Sequence, residues 1–231
     1  MECRQLLCGA IKSLDAPFGY YLPMGKEDNR RPIAARASSW ARALSASLAR
    51  SSITPNQISV ISIFFAAVGA MMLTWGISPW GLLLAAVCVQ LRLLCNLLDG
   101  MVAVEGGKQT PTGALYNEFP DRIADSLLIV ALGYAAMHPW LGWLGALLAA
   151  LTAYVRVFGG SSGLAQDFRG PMAKPHRMAV LTVACLVGAA EWRWNGTRHC
   201  LLLAATLIAA GSALTCYTRI RAIAGQLNQK G

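Results

Sequence analysis

The feature that most constrains this sequence is an uncharged stretch at residues 58–75. As an α-helix it would be about 27 Å long, close to the roughly 30 Å of a membrane's hydrocarbon core. Five further apolar stretches follow, at residues 80–98, 113–137, 140–155, 178–190 and 200–217. Because backbone hydrogen bonds must be satisfied internally in a bilayer, we expect an all-α, polytopic integral membrane protein with about six transmembrane helices.

Composition also excludes a soluble globular protein. Hydrophobic residues make up 55% of the 231 residues and charged residues only 13%, with a mean hydropathy of +0.47. The net charge is +9, but apolar stretches separate the cations. This distribution predicts attraction to an anionic bilayer surface and no nucleic-acid partner.

Two segments precede the first predicted span. Residues 1–32 are rich in polar and turn residues, which predicts a flexible cytosolic arm. Residues 33–53 predict an interfacial amphipathic helix, because Trp40, Leu44 and Leu48 fall on one side and arginines on the other. A solvated helix with a small apolar stripe is the alternative.

Residues 54–231 are predicted to form a six-helix transmembrane catalytic domain. Its first helix should begin at Thr54, a hydroxyl N-cap that is followed by Pro55 and by Gln57 at the capping-box position.

Cations predict the orientation of this domain. Eight of them precede the first span, and later ones concentrate in the loops around residues 100–112 and 159–177. Arg193 and Arg198 fall on the opposite side. By the positive-inside rule, both termini and these two loops are expected to be cytosolic, at a bacterial inner membrane.

Three arginines lie within or at the ends of apolar stretches: Arg92, Arg122 and Arg156. A cation at membrane depth is costly and normally faces the bundle interior, where it marks a partner or a pathway. Snorkelling to the interface is the structural alternative, and Arg156, nearest a helix end, is most open to it.

Acidic residues cluster between residues 99 and 125, at the predicted cytosolic ends of the second and third spans. Five of the eleven lie there: Asp99, Glu105, Glu118, Asp121 and Asp125. Carboxylates beside a membrane core repel one another unless a cation joins them. An oxygen-only set without His or Cys favours a hard divalent cation, so we expect Mg²⁺ or Mn²⁺.

Helical spacing supports a metal site. Asn96 and Asp99 are i, i+3 on one helix, and Asn117, Asp121 and Asp125 are i, i+4, i+8 on the next, so two oxygen-bearing faces can oppose each other. Small residues at positions 100, 103 and 113 leave room for a flat ligand group, or alternatively only permit tight helix packing.

The stretch NLLDGMVAVEGGKQTPTGALYNEFPDRIAD resembles the signature of the CDP-alcohol phosphotransferases, Asp-x2-Asp-Gly-x2-Ala-Arg-x8-Gly-x3-Asp-x3-Asp. Every interval is reproduced from Asn96 to Asp121. The first-span opening TPNQIS and the basic loop GPMAKPHR also resemble the family, so the similarity covers about residues 54–217. The resemblance implies six helices, a cytosol-facing site and a homodimer.

The sequence departs from that signature at three positions. Asn96 and Asn117 stand where the family has aspartates, and Val104 replaces the arginine. The final Asp-x3-Asp also fits one turn later, so either Asp121 or Asp125 is the last motif carboxylate. One tightly held metal, weaker metals completed by the substrate pyrophosphate, and an inactive member all remain open.

The resemblance implies displacement at phosphorus, in which a metal bridges the CDP pyrophosphate, a carboxylate accepts the alcohol proton and CMP leaves. Asp121 is the first choice of base, with Asp125 as the alternative catalytic residue. The implied metal ligands are Asn96, Asp99, Asn117, Asp121 and Asp125. The implied nucleotide-binding residues are Asp99, Gly100, Ala103 and Gly113.

Three cations are candidates to hold a phosphate of donor or acceptor: Arg156, Lys174 and Arg177. Alternatively, they serve only the positive-inside rule.

We therefore expect an enzyme of phospholipid synthesis that moves a phosphatidyl group from a CDP-linked donor such as CDP-diacylglycerol to an alcohol. A CDP-amino-alcohol donor with a lipid-alcohol acceptor, diacylglycerol or ceramide, is the alternative within this class. A small helical transporter is the alternative from another class, although the sequence shows no convincing internal repeat.

Overall fold

A computed structural model describes residues 38–75 and 78–229. Within these ranges, all regular secondary structure is α-helical. The helices of this described part are α1 (Ser39–Arg50), α2 (Pro55–Trp75), α3 (Pro79–Val104), α4 (Gly113–Ala135), α5 (Pro139–Ser161), α6 (Lys174–Asn195) and α7 (His199–Asn228). Helices α2 to α7 correspond to the six apolar stretches, so the predicted all-α architecture is confirmed. The predicted arm at residues 1–32 lies outside the described residues.

Helix α2 begins where the sequence predicts. Thr54 Oγ1 accepts a hydrogen bond from the Gln57 N–H at 3.2 Å, and Gln57 Oε1 accepts one from the Thr54 N–H at 3.0 Å. This reciprocal pair is a capping box. Pro55 occupies the first helical position, where a missing N–H costs nothing. Helix α3 begins similarly, because Ser78 Oγ accepts from the Gly81 N–H at 3.0 Å.

Several helices are longer than their apolar stretches. Helix α3 continues to Val104, α6 begins at Lys174 and α7 continues to Asn228, because polar and charged residues extend the helices beyond the part that hydropathy marks. Helices α2, α3, α5 and α7 are long and apolar enough to cross a membrane. Helices α4 and α6 carry charged residues near their ends, so six spans stays a prediction.

The bundle is apolar outside and partly charged inside. Large apolar side chains such as Phe64, Leu147 and Leu203 are well exposed on the surface, whereas Arg92 and Arg177 are fully buried. This arrangement is the reverse of a soluble protein's. It is the arrangement expected of helices that face lipid.

Close helix contacts position the charged residues. Helix α2 packs along both α3 and α4, α3 also packs on α6, and α5 packs on α4 and α7. At the α4–α5 crossing a Cβ on Gly133 would lie 2.5 Å from Gly142 Cα, so these two backbones touch only because both residues are glycine.

Helix α1 lies against α3. Ala41 is fully buried and packs with Leu97 and Met101, whereas Trp40 and Leu44 remain exposed. Exposed apolar side chains on a helix at the edge of the bundle suit the membrane interface. The interfacial placement of this helix stays a prediction.

The two loops that the sequence predicts on one side lie at one end of the bundle. In the loop after α3, Lys108 Nζ donates to Ser51 O at 2.5 Å, just before α2 begins. At the start of α6, Lys174 pairs with Asp121 of α4. The acidic residues of α3 and α4 and the basic residues of α6 therefore meet at this end, which we expect to be cytosolic.

Candidate active site

Three helices bring six charged side chains together at this end of the bundle. We call them the charge cluster: Arg92, Asp99, Asp121, Asp125, Lys174 and Arg177. All except Lys174 are buried, and Lys174 is half-buried. The cluster joins residues that sequence analysis predicts as metal ligands to two of the three predicted phosphate-binding cations.

Asp99 is the carboxylate of the second span. It is buried, and Ser59 Oγ of α2 donates to its Oδ2 at 2.6 Å. Its Oδ1 and the Oδ1 of Asn96, one turn earlier on α3, are buried and accept no hydrogen bond from the part of the chain that the structure describes. Two hard oxygen atoms are thus available on one helix face.

Asp121 connects all three helices of the charge cluster. The Asn96 side-chain amide of α3 and Arg92 Nη2, the latter at 3.2 Å, both donate to its Oδ1. Lys174 of α6 donates to its Oδ2. The Asn96 contact joins the two halves of the sequence motif, which lie 25 residues apart on different helices.

Asp125 lies one turn further along α4 and is an ion-pair partner on both oxygens. Arg92 Nη2 donates to its Oδ1 at 2.6 Å, and Arg177 Nη2 donates to its Oδ2 at 3.2 Å. Arg177 Nη1 also donates to the backbone oxygen of Met172 at 2.9 Å. These contacts hold the α6 N-terminus against α3 and α4. Both carboxylate oxygens of Asp125 are therefore paired with an arginine.

The third predicted phosphate-binding cation, Arg156, lies in a separate group. Its Nη2 pairs with Glu118 Oε2 at 2.7 Å, its Nη1 donates to Gln166 Oε1 at 3.0 Å, and its guanidinium lies 5.3 Å from the Phe168 ring centre. Arg122 Nε lies 3.5 Å from Glu118 Oε1. Glu118 thus links two arginines beside the charge cluster.

The remaining predicted residues lie around the charge cluster. Asn117 is exposed on α4, and Gly100 and Ala103 are half-buried on the last turns of α3. At Gly113 an added Cβ would make only an ordinary contact, 3.5 Å from Thr110 Oγ1. Close helix packing therefore does not require the glycine here, in contrast to Gly133, and the space it leaves is open to a ligand.

The chemistry of the donors fits a divalent cation at Asn96 and Asp99. Both offer an oxygen buried without a partner in the described chain, and Asp99 supplies a negative charge. Within residues 38–75 and 78–229, no group of three His, Cys, Asp or Glu side chains forms a complete metal site. A cation here needs further ligands from water or substrate.

Helix α7 holds the loop before α6 through hydrogen bonds. Arg219 Nε of α7 donates to Arg169 O at 2.8 Å, and the Met172 N–H donates to Thr215 Oγ1 at 3.0 Å. Within the loop, Asp167 accepts from the backbone and the side chain of Arg169. Burial alone would raise the pKa of Asp167, but the hydrogen bonds from Arg169 outweigh burial and lower that pKa below its usual value. The loop thereby fixes the position of Lys174, the first residue of α6.

Sequence reasoning missed several residues of this site. Arg92 was recognised as a costly buried cation, but not as the partner of Asp121 and Asp125. Ser59 lies in the TPNQIS segment that resembles the family. Its hydrogen bond to Asp99 joins two different helices, so no local sequence pattern predicts it. Arg219 could not be predicted either, because it donates to backbone oxygens, which every residue carries.

Comparisons with known proteins show a shared fold and a shared family. A crystal structure of Mycobacterium tuberculosis phosphatidylinositol phosphate synthase with CDP-DAG bound has a TM-score of 0.66 and 22% identity, covering 80% of this chain and 94% of that one. The same synthase in complex with manganese and citrate has a TM-score of 0.64 and 23% identity, covering 79% and 88%. Both show the shared fold.

Phosphatidylinositol phosphate synthase of Mycobacterium marinum is 28% identical over 188 residues, which covers 77% of this chain and 76% of that protein. The family model for CDP-alcohol phosphatidyltransferase matches residues 52–217, which include every helix from α2 to α6 and most of α7. The chain therefore belongs to the CDP-alcohol phosphatidyltransferase family and is a transferase of substituted phosphate groups.

Proposed function

We propose that this protein transfers the phosphatidyl group of CDP-diacylglycerol to an alcohol and releases CMP. The observation that carries the proposal is the contact between Asn96 and Asp121, which assembles the two halves of the family motif beside Asp99. Family membership favours this reaction over transport. The CDP-DAG named for the Mycobacterium tuberculosis synthase supports this donor.

Asp121 is the proposed general base. Its side chain is 11% exposed, against 3% for Asp125, and its partner Lys174 is 20% exposed. An alcohol can therefore approach Asp121 from the end of the bundle, whereas two arginines enclose Asp125. A base must come within hydrogen-bond reach of the proton it accepts, so geometry supports the literal motif spacing over the shifted one.

Asn96 and Asp99 are the proposed ligands of Mg²⁺ or Mn²⁺, with Asp121 beside them. Manganese is named in the crystal structure of the Mycobacterium tuberculosis synthase. When bound here, such a cation supplies Lewis-acid polarisation of the pyrophosphate oxygens. Asn117 and Asp125 stay predicted ligands, although Asn117 is exposed and Asp125 is paired with arginines on both oxygens.

Lys174 and Arg156 are proposed to hold phosphate oxygens, and Arg177 acts through Asp125. Lys174 is half-buried at the α6 N-terminus, where the helix dipole also favours an anion. The open space at Gly113 and the small residues Gly100 and Ala103 are the proposed surface for the cytidine.

The transfer is a substitution at the phosphorus that carries diacylglycerol. The alcohol oxygen forms a bond to this phosphorus, and the bond from phosphorus to the oxygen bridging to CMP breaks. The alcohol proton moves to Asp121, and CMP leaves with the bonding electron pair. Lys174 is placed to offset charge on the phosphoryl oxygens during the substitution.

An inositol phosphate is the first acceptor to test, because the Mycobacterium marinum relative is named a phosphatidylinositol phosphate synthase. Four cations lie at the same end of the bundle as Asp121: Arg122, Arg156, Lys174 and Arg169. They would complement a phosphorylated acceptor better than a neutral one.

The test is mass spectrometry of the lipids made by purified protein in nanodiscs. CDP-diacylglycerol should be offered with inositol phosphate, inositol, glycerol phosphate or serine, and CDP-ethanolamine with diacylglycerol. We expect a phosphatidyl product and an equal amount of CMP only with CDP-diacylglycerol. Product from CDP-ethanolamine and diacylglycerol would replace this proposal with the amino-alcohol alternative.

A further inference from the structure

The loop between α3 and α4 joins two parts of the proposed nucleotide surface. It spans residues 105–112, so it begins just after Ala103 near the end of α3 and ends directly before Gly113 at the start of α4. Gly106 and Lys108 are half-buried, whereas every other residue of the loop is exposed. Burial at these two positions shows where the loop packs against the rest of the protein.

Lys108 binds the end of helix α1. Its Nζ donates to Ser51 O at 2.5 Å and to Ile53 O at 3.2 Å. Ser51 is the C-cap of α1. The last carbonyl groups of a helix lack partners within the helix, and the helix dipole favours a cation beside them. Lys108 therefore ties the loop to a neighbouring helix through charge-assisted hydrogen bonds.

Gly106 allows the loop to approach α1 closely. A Cβ added at this position would lie 2.9 Å from Ala49 Cβ, in the last turn of α1, and 2.4 Å from Val102 O. A side chain here would have to push the loop away from the helix. Because Gly106 and Lys108 both meet the end of α1, the contact between loop and helix does not depend on one flexible side chain.

Helix α1 is itself held on α3. Ala41 is fully buried and packs with Leu97 and Met101. Leu48 packs against the buried cluster that includes Val102. These contacts lie along the last turns of α3, the part of the helix that carries the proposed nucleotide-binding residues. The end of α3 and helix α1 therefore form one packed unit on which the loop rests.

We propose that Lys108 is a positioning residue for nucleotide binding, because it fixes the α3–α4 loop against α1 while touching no nucleotide itself. A loop that already has its binding conformation does not have to be ordered when the ligand arrives, so the affinity is higher. Without this tie the loop would be held mainly at its two ends. The inference rests on the proposed function for the placement of the nucleotide at Gly100, Ala103 and Gly113.

The test is CDP binding to the purified protein in nanodiscs, with Mg²⁺ and without an acceptor. Lys108→Gln loses the charged hydrogen bonds, so we expect its CDP dissociation constant to rise by about tenfold. Lys108→Arg keeps the charge and should restore the affinity to within about threefold of the unaltered protein. Arg50→Gln removes a positive charge from an exposed residue in the last turn of α1. It is the matched control for general electrostatic attraction and should leave the affinity unchanged.

Two further measurements separate positioning from a purely structural role. Amide hydrogen exchange in residues 105–112 should be faster in Lys108→Gln than in the unaltered protein, with no change in α5. With CDP-diacylglycerol as donor, the donor KM should rise while kcat stays within about threefold, because the lost contact contributes to binding and not to the substitution at phosphorus. A fall in kcat at unchanged donor KM would contradict the proposal.

Gly106→Ala tests the same loop contact without changing any charge, and it should also weaken CDP binding and speed exchange in the loop. Unaltered CDP affinity in Lys108→Gln, or equal losses in Lys108→Gln and Arg50→Gln, would overturn the inference. Such results leave phosphatidyl transfer standing. Conversely, a protein that shows these CDP affinities but transfers no phosphatidyl group would contradict the proposed function alone.

Discussion

Arg92 Nη2 lies 2.6 Å from Asp125 Oδ1, and neither side chain is more than 3% exposed. Asp125 is therefore held as a buried ion-pair partner between α3 and α6, one turn beyond the carboxylate proposed as the base. This burial supports the proposal that Asp121 and Asp125 have different roles, although both fit the sequence motif.

Asp125→Asn should destabilise the fold. The substitution leaves Arg177 buried without a charge partner and leaves Arg92 with Asp121 alone, which costs roughly 3–5 kcal/mol of unfolding free energy. Thermal unfolding in detergent measures the loss. Glu105→Gln, at an exposed carboxyl after α3, is the control and should change stability by less than about 0.5 kcal/mol. An unaltered melting temperature in Asp125→Asn, with a rate loss that added Mg²⁺ restores, would place Asp125 among the metal ligands instead.

Ser59→Ala should weaken the joint binding of Mn²⁺ and CDP. Ser59 orients Asp99 through a 2.6 Å hydrogen bond, and a hydrogen bond to a charged group contributes about 1.5–3 kcal/mol, so we expect a loss of affinity of tenfold or more. Ser62→Ala is the matched control, because Ser62 is equally buried but donates to the backbone oxygen of Ser59. Similar affinities in the two variants would show that Ser59 does not act through Asp99.

Gly113→Ala should affect nucleotide binding, whereas Gly133→Ala should affect stability. A Cβ at Gly113 meets only an ordinary contact, so the protein should keep its melting temperature but bind CDP more weakly, by about tenfold or more. A Cβ at Gly133 would collide with the backbone of α5, so Gly133→Ala should lower the melting temperature. An unaltered CDP affinity in Gly113→Ala would contradict the proposal that Gly113 lies at the nucleotide-binding surface.

The Asp167–Arg169 pair should make stability depend on pH. The folded protein lowers the pKa of Asp167, so it binds fewer protons there than the unfolded chain, and stability rises with pH. The contribution is full above the unfolded pKa of about 3.9 and is lost as pH falls through the lower folded value. Since Arg169 is largely exposed, we expect about 1 kcal/mol.

Melting temperatures of Asp167→Asn and the unaltered protein, compared at neutral pH and near pH 3, check this expectation. The difference should be present at neutral pH and shrink on acidification. A difference that stays constant over this range would show that the Asp167 charge does not contribute.

The helices could be predicted because membrane burial leaves a continuous signal along the chain. The start of α2 was predicted to the residue, since Thr54, Pro55 and Gln57 act locally. The ends of α3 and α6 were not, because charged residues extend a helix without any change in hydropathy that would mark its end. Helical spacing was enough to predict that Asn96 and Asp121 lie on facing sides of two helices, and the two side chains are hydrogen-bonded.

The partners within the charge cluster could not be predicted. Arg92 reaches Asp125 only because α2 packs α3 and α4 together with particular rotations about their axes, and sequence spacing does not specify a rotation between helices. For the same reason, Arg156 and Arg177 looked equivalent as loop-end cations, although one pairs with Glu118 and the other with Asp125.

The most direct test of the account is acceptor-dependent CMP release by Asp121→Asn, measured together with its lipid product and its melting temperature. If Asp121 accepts the alcohol proton, the rate should fall by about 10²-fold or more, as expected for loss of a general base, while CDP binding survives in part and the fold remains. A folded Asp121→Asn protein that still makes phosphatidyl product and CMP within a few-fold of the unaltered rate would contradict it.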